Sequence, residues 1–459
     1  MTDTVKIISP IDGSVYAERP LASAAEIEGA VIRAKAARHA WGETTIAERQ
    51  KILSHFVDAL LLMNDDIVPE LAWQMGRPIR FGGEKRGVEE RSRYMIELAA
   101  EALAPSMRPE KAGFTRYITR EALGTVMVIA PWNYPFLTAV NSIVPGLMAG
   151  NAIILKHASQ TLLVGERFAT AAESAGLPAG LFQNLVLGHA DTEKLIASGQ
   201  IDHINFTGSV EGGRRIEKAA AGTFATLGLE LGGKDPAYVR ADADLDNAVE
   251  NLVDGSFFNS GQSCCGVERI YVHEAVYGSF VERFIDNAKG WTLGNPLDAD
   301  TIVGPMARGN FADHVRQQTE EAIRGGATRH LNTKHALDKP GSPYLAPEVL
   351  TNVNHQMSVM REESFGPVVG IMKVADDAEA VTLMNDSPYG LTASIWTQDL
   401  DAAARLGAQV ETGTVFANRC DYLDPALVWT GVKDTGKGGA LSEIGYANLT
   451  QPKSYHLKA

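Results

Sequence analysis

Thr125-Val126-Met127-Val128-Ile129-Ala130-Pro131-Trp132-Asn133-Tyr134-Pro135 is the stretch from which the fold is read. The apolar run Thr125–Ala130 reads as a strand stopped by Pro131, and residues 137–149 follow with helical spacing. The unit then repeats. Ala152–Lys156 (AIILK) is a second short apolar strand, 161–175 a helix, Asn184–Leu187 a strand and 190–199 a helix. Ile201–Phe206 is a fourth strand and 210–221 a helix. Such alternation, with strands apolar throughout, predicts a parallel sheet with helices on both faces. Ligands bind at the carboxyl ends of the strands in such sheets, and the polar motifs lie at those ends.

Working outward, residues 23–40 read as an amphipathic helix with a Ser start, and 46–63 and 85–103 as further helices. Met75-Gly76-Arg77-Pro78 breaks the helical region between them. Residues 114–120 (FTRYITR) alternate like a half-exposed strand suited to pairing with another strand. After about residue 232 a second α/β pattern begins, with helices at 246–257, 275–289, 308–324 and 377–384 and strands at 270–272, 368–373 and 394–396. A Gly-rich run from 431 to 439 leads to a strand-like tail at 449–457.

The chain has 459 residues, 45% of them apolar, enough for two or three domains. Its 42 basic and 56 acidic residues give a formal charge of −14, which disfavours nucleic acid and anionic membranes as partners. No apolar run reaches the length of a membrane span, and no secretory signal is evident at the start. Three cysteines, 264, 265 and 420, cannot build a disulfide framework, and no His/Cys spacing suggests a metal. Free thiols suit a reducing cytoplasm.

Two of those cysteines sit side by side in Phe257-Phe258-Asn259-Ser260-Gly261-Gln262-Ser263-Cys264-Cys265. By itself such a thiol is open to use as nucleophile, disulfide half, metal ligand or core. Phe206-Thr207-Gly208-Ser209, with Gly213 beyond, is either an ordinary strand–helix turn or a place where a diphosphate meets a helix N-terminus. Lys156, at a strand end, is either solvated or able to reach a ribose or phosphate, and His157 reads as a packing residue. Asn133, fixed between Pro131 and Pro135, either satisfies its own turn or donates to an oxyanion. Glu230, in an apolar setting, is either paired with Lys234 or a general base with a raised pKa. Glu362 and Glu363 adjoin Phe365-Gly366-Pro367, and an acid/base pair of glycosidase type is disfavoured there because neighbouring side chains diverge.

Taken in order, APWNYP, LKxxS, FTGS, ELGGK, FxNxGQxC, EExFGP and NDSxYGL resemble the aldehyde dehydrogenase superfamily, over roughly residues 6–455. The resemblance implies a Rossmann-type cofactor domain (1–103 and 124–232), an α/β catalytic domain (233–432) and a small β oligomerisation element (104–123 and 433–459), assembled as a dimer or tetramer. It implies NAD(P)-dependent oxidation of an aldehyde to the acid. Cys264 would be the nucleophile, forming a thiohemiacetal and then a thioester, Asn133 the oxyanion donor and Glu230 the base that activates water. Trp132, Lys156, Ser159, Gly208, Ser209, Gly213, Gly232, Glu363 and Phe365 would contact NAD or NADP.

Three departures from the family pattern matter. Ser159 stands where many NAD-preferring members carry a ribose-binding Glu, which predicts use of NADP. Asn141 stands nine residues after Trp132, where some succinate-semialdehyde dehydrogenases carry an Arg for the substrate carboxylate. With Phe136, Phe258, Ser263, Cys265, Tyr422, Leu423 and Trp429 as the other pocket candidates, an uncharged aldehyde is expected, with a semialdehyde as the alternative. Ala440 stands where a relay Glu sometimes occurs, leaving Glu230 to act alone. Glu230 also argues against a CoA-acylating enzyme, and the presence of Cys264, Glu230 and Asn133 argues against a non-catalytic protein on this fold.

Overall fold

The computed structural model describes residues 3–331 and 335–459. Two large sheets carry the described molecule. The first runs, edge to edge, Gly436–Lys437, Thr226–Glu230, His203–Thr207, Thr125–Ile129, Ala152–Lys156 and Phe182–Asn184. Every pairing in it is parallel except that of Gly436–Lys437. All residues of Thr125–Ile129 and Ala152–Lys156 are buried, which is why both read as unbroken apolar runs rather than alternating ones. Lys156, Thr207 and Glu230 each end a strand of this sheet, at its carboxyl edge.

The second sheet orders Thr328–Arg329, Glu348–Thr351, Val368–Val374, Val267–His273, Asp235–Val239, Thr392–Trp396 and Thr414–Ala417. The chain crosses from the first sheet to the second through Leu231-Gly232-Gly233-Lys234, between two strands that the sequence pattern did not single out. A third, three-stranded sheet pairs Thr450–Lys458 with Phe114–Ala122 along its whole length, from Thr450↔Ala122 to Lys458↔Phe114. Ser106–Met107 occupies the other edge. Gly436–Lys437 pairs antiparallel with Thr226–Glu230 at the edge of the first sheet.

The helices at 24–42 and 46–62 start at Ser23 and Thr45, each closed by a capping box with Glu26 and Glu48. One helix was missed. Asn64–Met75 lies in the stretch left unassigned after 63 and ends at the break beginning at Met75, and it buries Ile67, Leu71, Ala72 and Met75 along one stripe despite Pro69. One strand is displaced: the ladder expected at 184–187 forms at Phe182–Asn184, while Leu185 and Leu187 fill the core from the loop beyond.

Candidate active site

The cysteine loop connects the helix Leu245–Phe257 to the strand Val267–His273. Asn259 (φ 54°), Ser260 (φ 59°) and Gly261 (φ 68°) are successive left-handed residues, a conformation costing roughly 1–3 kcal/mol for each non-glycine. Polar side chains hold it. Ser260 Oγ donates to the Gly304 carbonyl (2.8 Å) and Gln262 Nε2 to the Asn259 carbonyl (3.1 Å). Gln262 Oε1 accepts from the Ala307 N–H (2.8 Å). At Gly261 a Cβ would lie 2.3 Å from the Gly366 carbonyl oxygen, so only glycine fits there. The outcome is a half-buried Cys264 on a fixed backbone.

Asn133 faces this loop. Its Nδ2 donates to the Gln262 carbonyl at 3.1 Å, which leaves one amide hydrogen for another acceptor. Its own carbonyl accepts from Asn259 Nδ2 (3.2 Å) and from Arg77 Nη2. Arg77 is buried, donates through Nε to Asn259 Oδ1 (3.2 Å), and forms a buried ion pair with Glu84. Glu84 accepts in turn from the Phe136 (3.0 Å) and Leu137 (2.7 Å) N–H groups at the start of the helix Pro135–Met148. In the sequence Arg77 marks only a break. Its signal was a cation between Gly76 and Pro78 with no local partner.

Glu230 accepts from Thr207 Oγ1 at 3.1 Å and not from Lys234, which pairs instead with Glu268. Burial raises the Glu230 carboxyl to about 7, against the Thr207 hydrogen bond and the Arg91 charge, which both lower it. The Lys234–Glu268 pair shapes the Glu363–Phe365 turn. Lys234 Nζ donates to Ser364 Oγ (2.9 Å), and Glu268 accepts from the Ser364 (2.8 Å) and Phe365 (2.9 Å) N–H groups. That turn places Glu363 Oε1 on the Gly233 N–H at 2.9 Å. Burial, and then the charge of Glu268, push the Glu363 carboxyl up to about 8.

A groove of about 600 Å³ joins these groups, lined by Trp132, Asn133, Lys156, Gly208, Ser209, Glu230, Gly232, Cys264, Glu363 and Phe365. Trp132 stacks on Phe311 (centroids 5.7 Å) and meets Phe365 edge-on (5.6 Å). Ser209 caps the helix Val210–Ala220 by accepting from the Gly212 N–H, so the helix N-terminus opens into the groove. Gly213 packs inside that helix, where a Cβ would strike Leu231 at 2.6 Å. Burial lowers Lys156 to about 8. His157 is a packing residue, held by the Pro135 carbonyl (3.2 Å) and Thr161 Oγ1 (3.1 Å). Ser159 carries a neighbour that was not foreseen: Arg308 Nη2 lies 3.4 Å from its hydroxyl.

The pocket candidates divide. Cys265 is buried and its Sγ donates to Asp421 Oδ1 at 2.8 Å, with Ser263 Oγ 3.4 Å from the same oxygen. Burial raises the Asp421 carboxyl, and nothing in the sequence had singled it out. Asn141 is buried beside the core of the helix Pro135–Met148. Phe136 turns away from this region, packing into the core against Phe168 (centroids 5.3 Å). Trp429 and Leu423 also pack on that core. Phe258 meets Phe81 edge-on, and Tyr422 donates to Glu90 at 2.6 Å.

The sequence matches the aldehyde dehydrogenase family over residues 1–455. It is 33% identical over 457 residues to the "Succinate-semialdehyde dehydrogenase [NADP(+)]" of Mycobacterium avium (strain 104), covering 98% of this chain and 96% of that one. It is 33% identical over 443 residues to the vanillin dehydrogenase of Corynebacterium glutamicum, covering 94% and 89%. The solved structure of succinate-semialdehyde dehydrogenase from Burkholderia pseudomallei superposes with a TM-score of 0.95 at 29% identity, covering 100% of this chain and 95% of that one. With the motif order, the sheet topology and the groove in agreement, the chain belongs to the aldehyde dehydrogenase family.

Proposed function

We propose that this protein oxidises an aldehyde to the carboxylic acid, consuming water and an oxidised nicotinamide dinucleotide and yielding the reduced dinucleotide and a proton. The observation that carries this reading is the convergence of Cys264, Asn133 and Glu230 on one groove. Cys264 Sγ, as thiolate, attacks the carbonyl carbon, and the free amide hydrogen of Asn133 receives the resulting oxyanion. Loss of hydride leaves a thioester on Cys264. Glu230, with a carboxyl near 7, takes a proton from water, which releases the acid.

The groove fits a dinucleotide: glycines 208 and 232 leave room, the helix beginning at Val210 offers N–H groups, and buried Lys156 and half-buried Glu363 offer one cation and one carboxyl. A nicotinamide nucleotide held there supplies the hydride acceptor. Ser159 and Arg308 favour NADP, because a hydroxyl and a cation suit a 2′-phosphate where a carboxylate would repel it. Gly213 supports the diphosphate turn by packing rather than by contact.

The pairing of Thr450–Lys458 with Phe114–Ala122 leaves strand edges suited to a second subunit, so we read residues 104–123 with the tail as the assembly element of a homodimer or homotetramer. The cofactor unit is then 1–103 with 124–232, and the catalytic unit 233–432. Three free cysteines favour the cytoplasm. No helix among the described residues is long and apolar enough to cross a membrane.

The test is a steady-state aldehyde panel with NAD and NADP in parallel and Cys264→Ala as the blank, with product analysis in the presence and absence of CoA. Release of free acid without CoA supports the reading. Acyl-CoA as the only product, or no cofactor reduction with any aldehyde, overturns it.

A further inference from the structure

The helix Lys85–Ala102 packs against the helix Pro135–Met148, which starts in the Asn133 turn. Arg91 lies between them, only 9% exposed. Its Nη1 donates to the Leu137 carbonyl at 3.2 Å, and among the described residues it has no other hydrogen bond and no ion-pair partner. Its charge is felt by Glu230 and by Asp421, and it feels those of Cys265, Glu84, Glu230 and Glu90. The Leu137 contact holds it beside the first turn of the helix that follows Asn133.

Each carboxyl in its reach is already engaged elsewhere. Glu84 holds Arg77 and two helix N–H groups, and Glu90 holds Tyr422. Asp421 holds Cys265, and Glu230 holds Thr207. A guanidinium stays charged at every working pH, and a buried charge without an opposite charge is costly.

Two further groups nearby are equally unfinished. Asn141 lies one helical turn beyond Leu137, is 3% exposed, and has no partner on either Oδ1 or Nδ2 among the described residues. The Tyr134 hydroxyl is buried without a hydrogen-bond partner and lies within the field of Asp421 and Cys265. Buried polar groups are almost always satisfied, so several unsatisfied ones clustered at the helix that follows Asn133 mark a place that a ligand can complete. Asn141 was expected to make the pocket neutral because it replaces an arginine. A cation does lie on the neighbouring helix, at Arg91.

We propose that Arg91 is a specificity residue that receives a carboxylate at the far end of the aldehyde, with Asn141 and the Tyr134 hydroxyl completing its hydrogen bonds. The substrate class is then an aldehyde acid of short chain, a refinement that rests on the aldehyde-oxidising reading above. A neutral aldehyde leaves the guanidinium uncompensated, whereas a carboxylate gains a charge-assisted pair away from water.

The experiment compares 4-oxobutanoate with butanal, which has the same chain length, in the parent, Arg91→Gln, Arg91→Lys and Asn141→Leu. The readout is the ratio of kcat/KM for the two aldehydes, which cancels any shared loss through Glu230 or folding. The parent is expected to favour 4-oxobutanoate. In Arg91→Gln the ratio should fall by about 30-fold or more, mostly through KM, with partial recovery in Arg91→Lys. Asn141→Leu should lower it several-fold. Should Arg91→Gln not fold, Asn141→Leu and competitive inhibition of the parent by succinate still decide the matter. A parent that prefers butanal, or a ratio unchanged by Arg91→Gln, overturns the proposal. A parent that oxidises no aldehyde overturns the broader reading instead.

Discussion

Arg77 Nε donates to Asn259 Oδ1 across 3.2 Å, although the two residues are 182 positions apart. Through this contact the turn that carries Asn133 and the loop that carries Cys264 are fixed to one guanidinium. Arg77 touches neither reacting atom, so it is a positioning residue. Lysine at this position keeps the charge but cannot serve Asn259, Glu84 and the Asn133 carbonyl together. We expect Arg77→Lys to lower kcat on the order of 10²-fold with a smaller change in KM, because misplacing an oxyanion donor acts on the transition state. Steady-state kinetics with one aldehyde check this, and a change confined to thermal stability would contradict it.

Glu230→Gln should leave thioester formation intact and slow its hydrolysis. Rapid mixing is expected to give a burst of reduced cofactor close to one per active site, followed by turnover lowered roughly 10²–10⁴-fold. Loss of the burst together with turnover would place Glu230 in the earlier step.

The pH dependence follows from the Glu230 carboxyl near 7. The base form prevails above that pH, so the parent's hydrolytic step should fall as pH drops through 7, and Glu230→Gln should lack that limb. For stability the sign is opposite. The native state keeps this proton to higher pH than the unfolded chain does. The contribution is therefore full below the ordinary carboxyl range and is lost as pH rises through about 7. Denaturant midpoints of parent and Glu230→Gln between pH 5 and 8 measure it.

Ser159→Glu should shift the kcat/KM ratio for NADP over NAD by about tenfold or more toward NAD, and Arg308→Gln should move it the same way by a smaller amount. Equal ratios in parent and both variants would remove Ser159 and Arg308 from cofactor choice.

Cys264→Ala should abolish oxidation, whereas Cys265→Ala should retain most of it, since Cys265 is buried against Asp421. Substantial oxidation by the first variant would displace the nucleophile from position 264.

What was legible in the sequence was whatever depends on near neighbours. Thr125–Ile129 and Ala152–Lys156 announced themselves because strands buried on both faces have no polar alternation. The first helix was readable from its Ser23 start, the second from its composition, and the groove residues from a motif order shared with a known family. What escaped depends on partners far along the chain. Arg77, Arg91 and Arg308 look like ordinary surface cations until the fold brings Asn259, Leu137 and Ser159 to them. Phe136 was misplaced because the first turn of its helix aims that ring at Phe168 rather than at the site.

Gly233 carries no functional atom beyond its backbone, yet a Cβ on it would lie 2.4 Å from the Cys264 carbonyl oxygen. In a saturation-mutagenesis survey scored by growth or turnover, position 233 should therefore behave like a catalytic residue, intolerant of all nineteen replacements, while contributing no chemistry of its own.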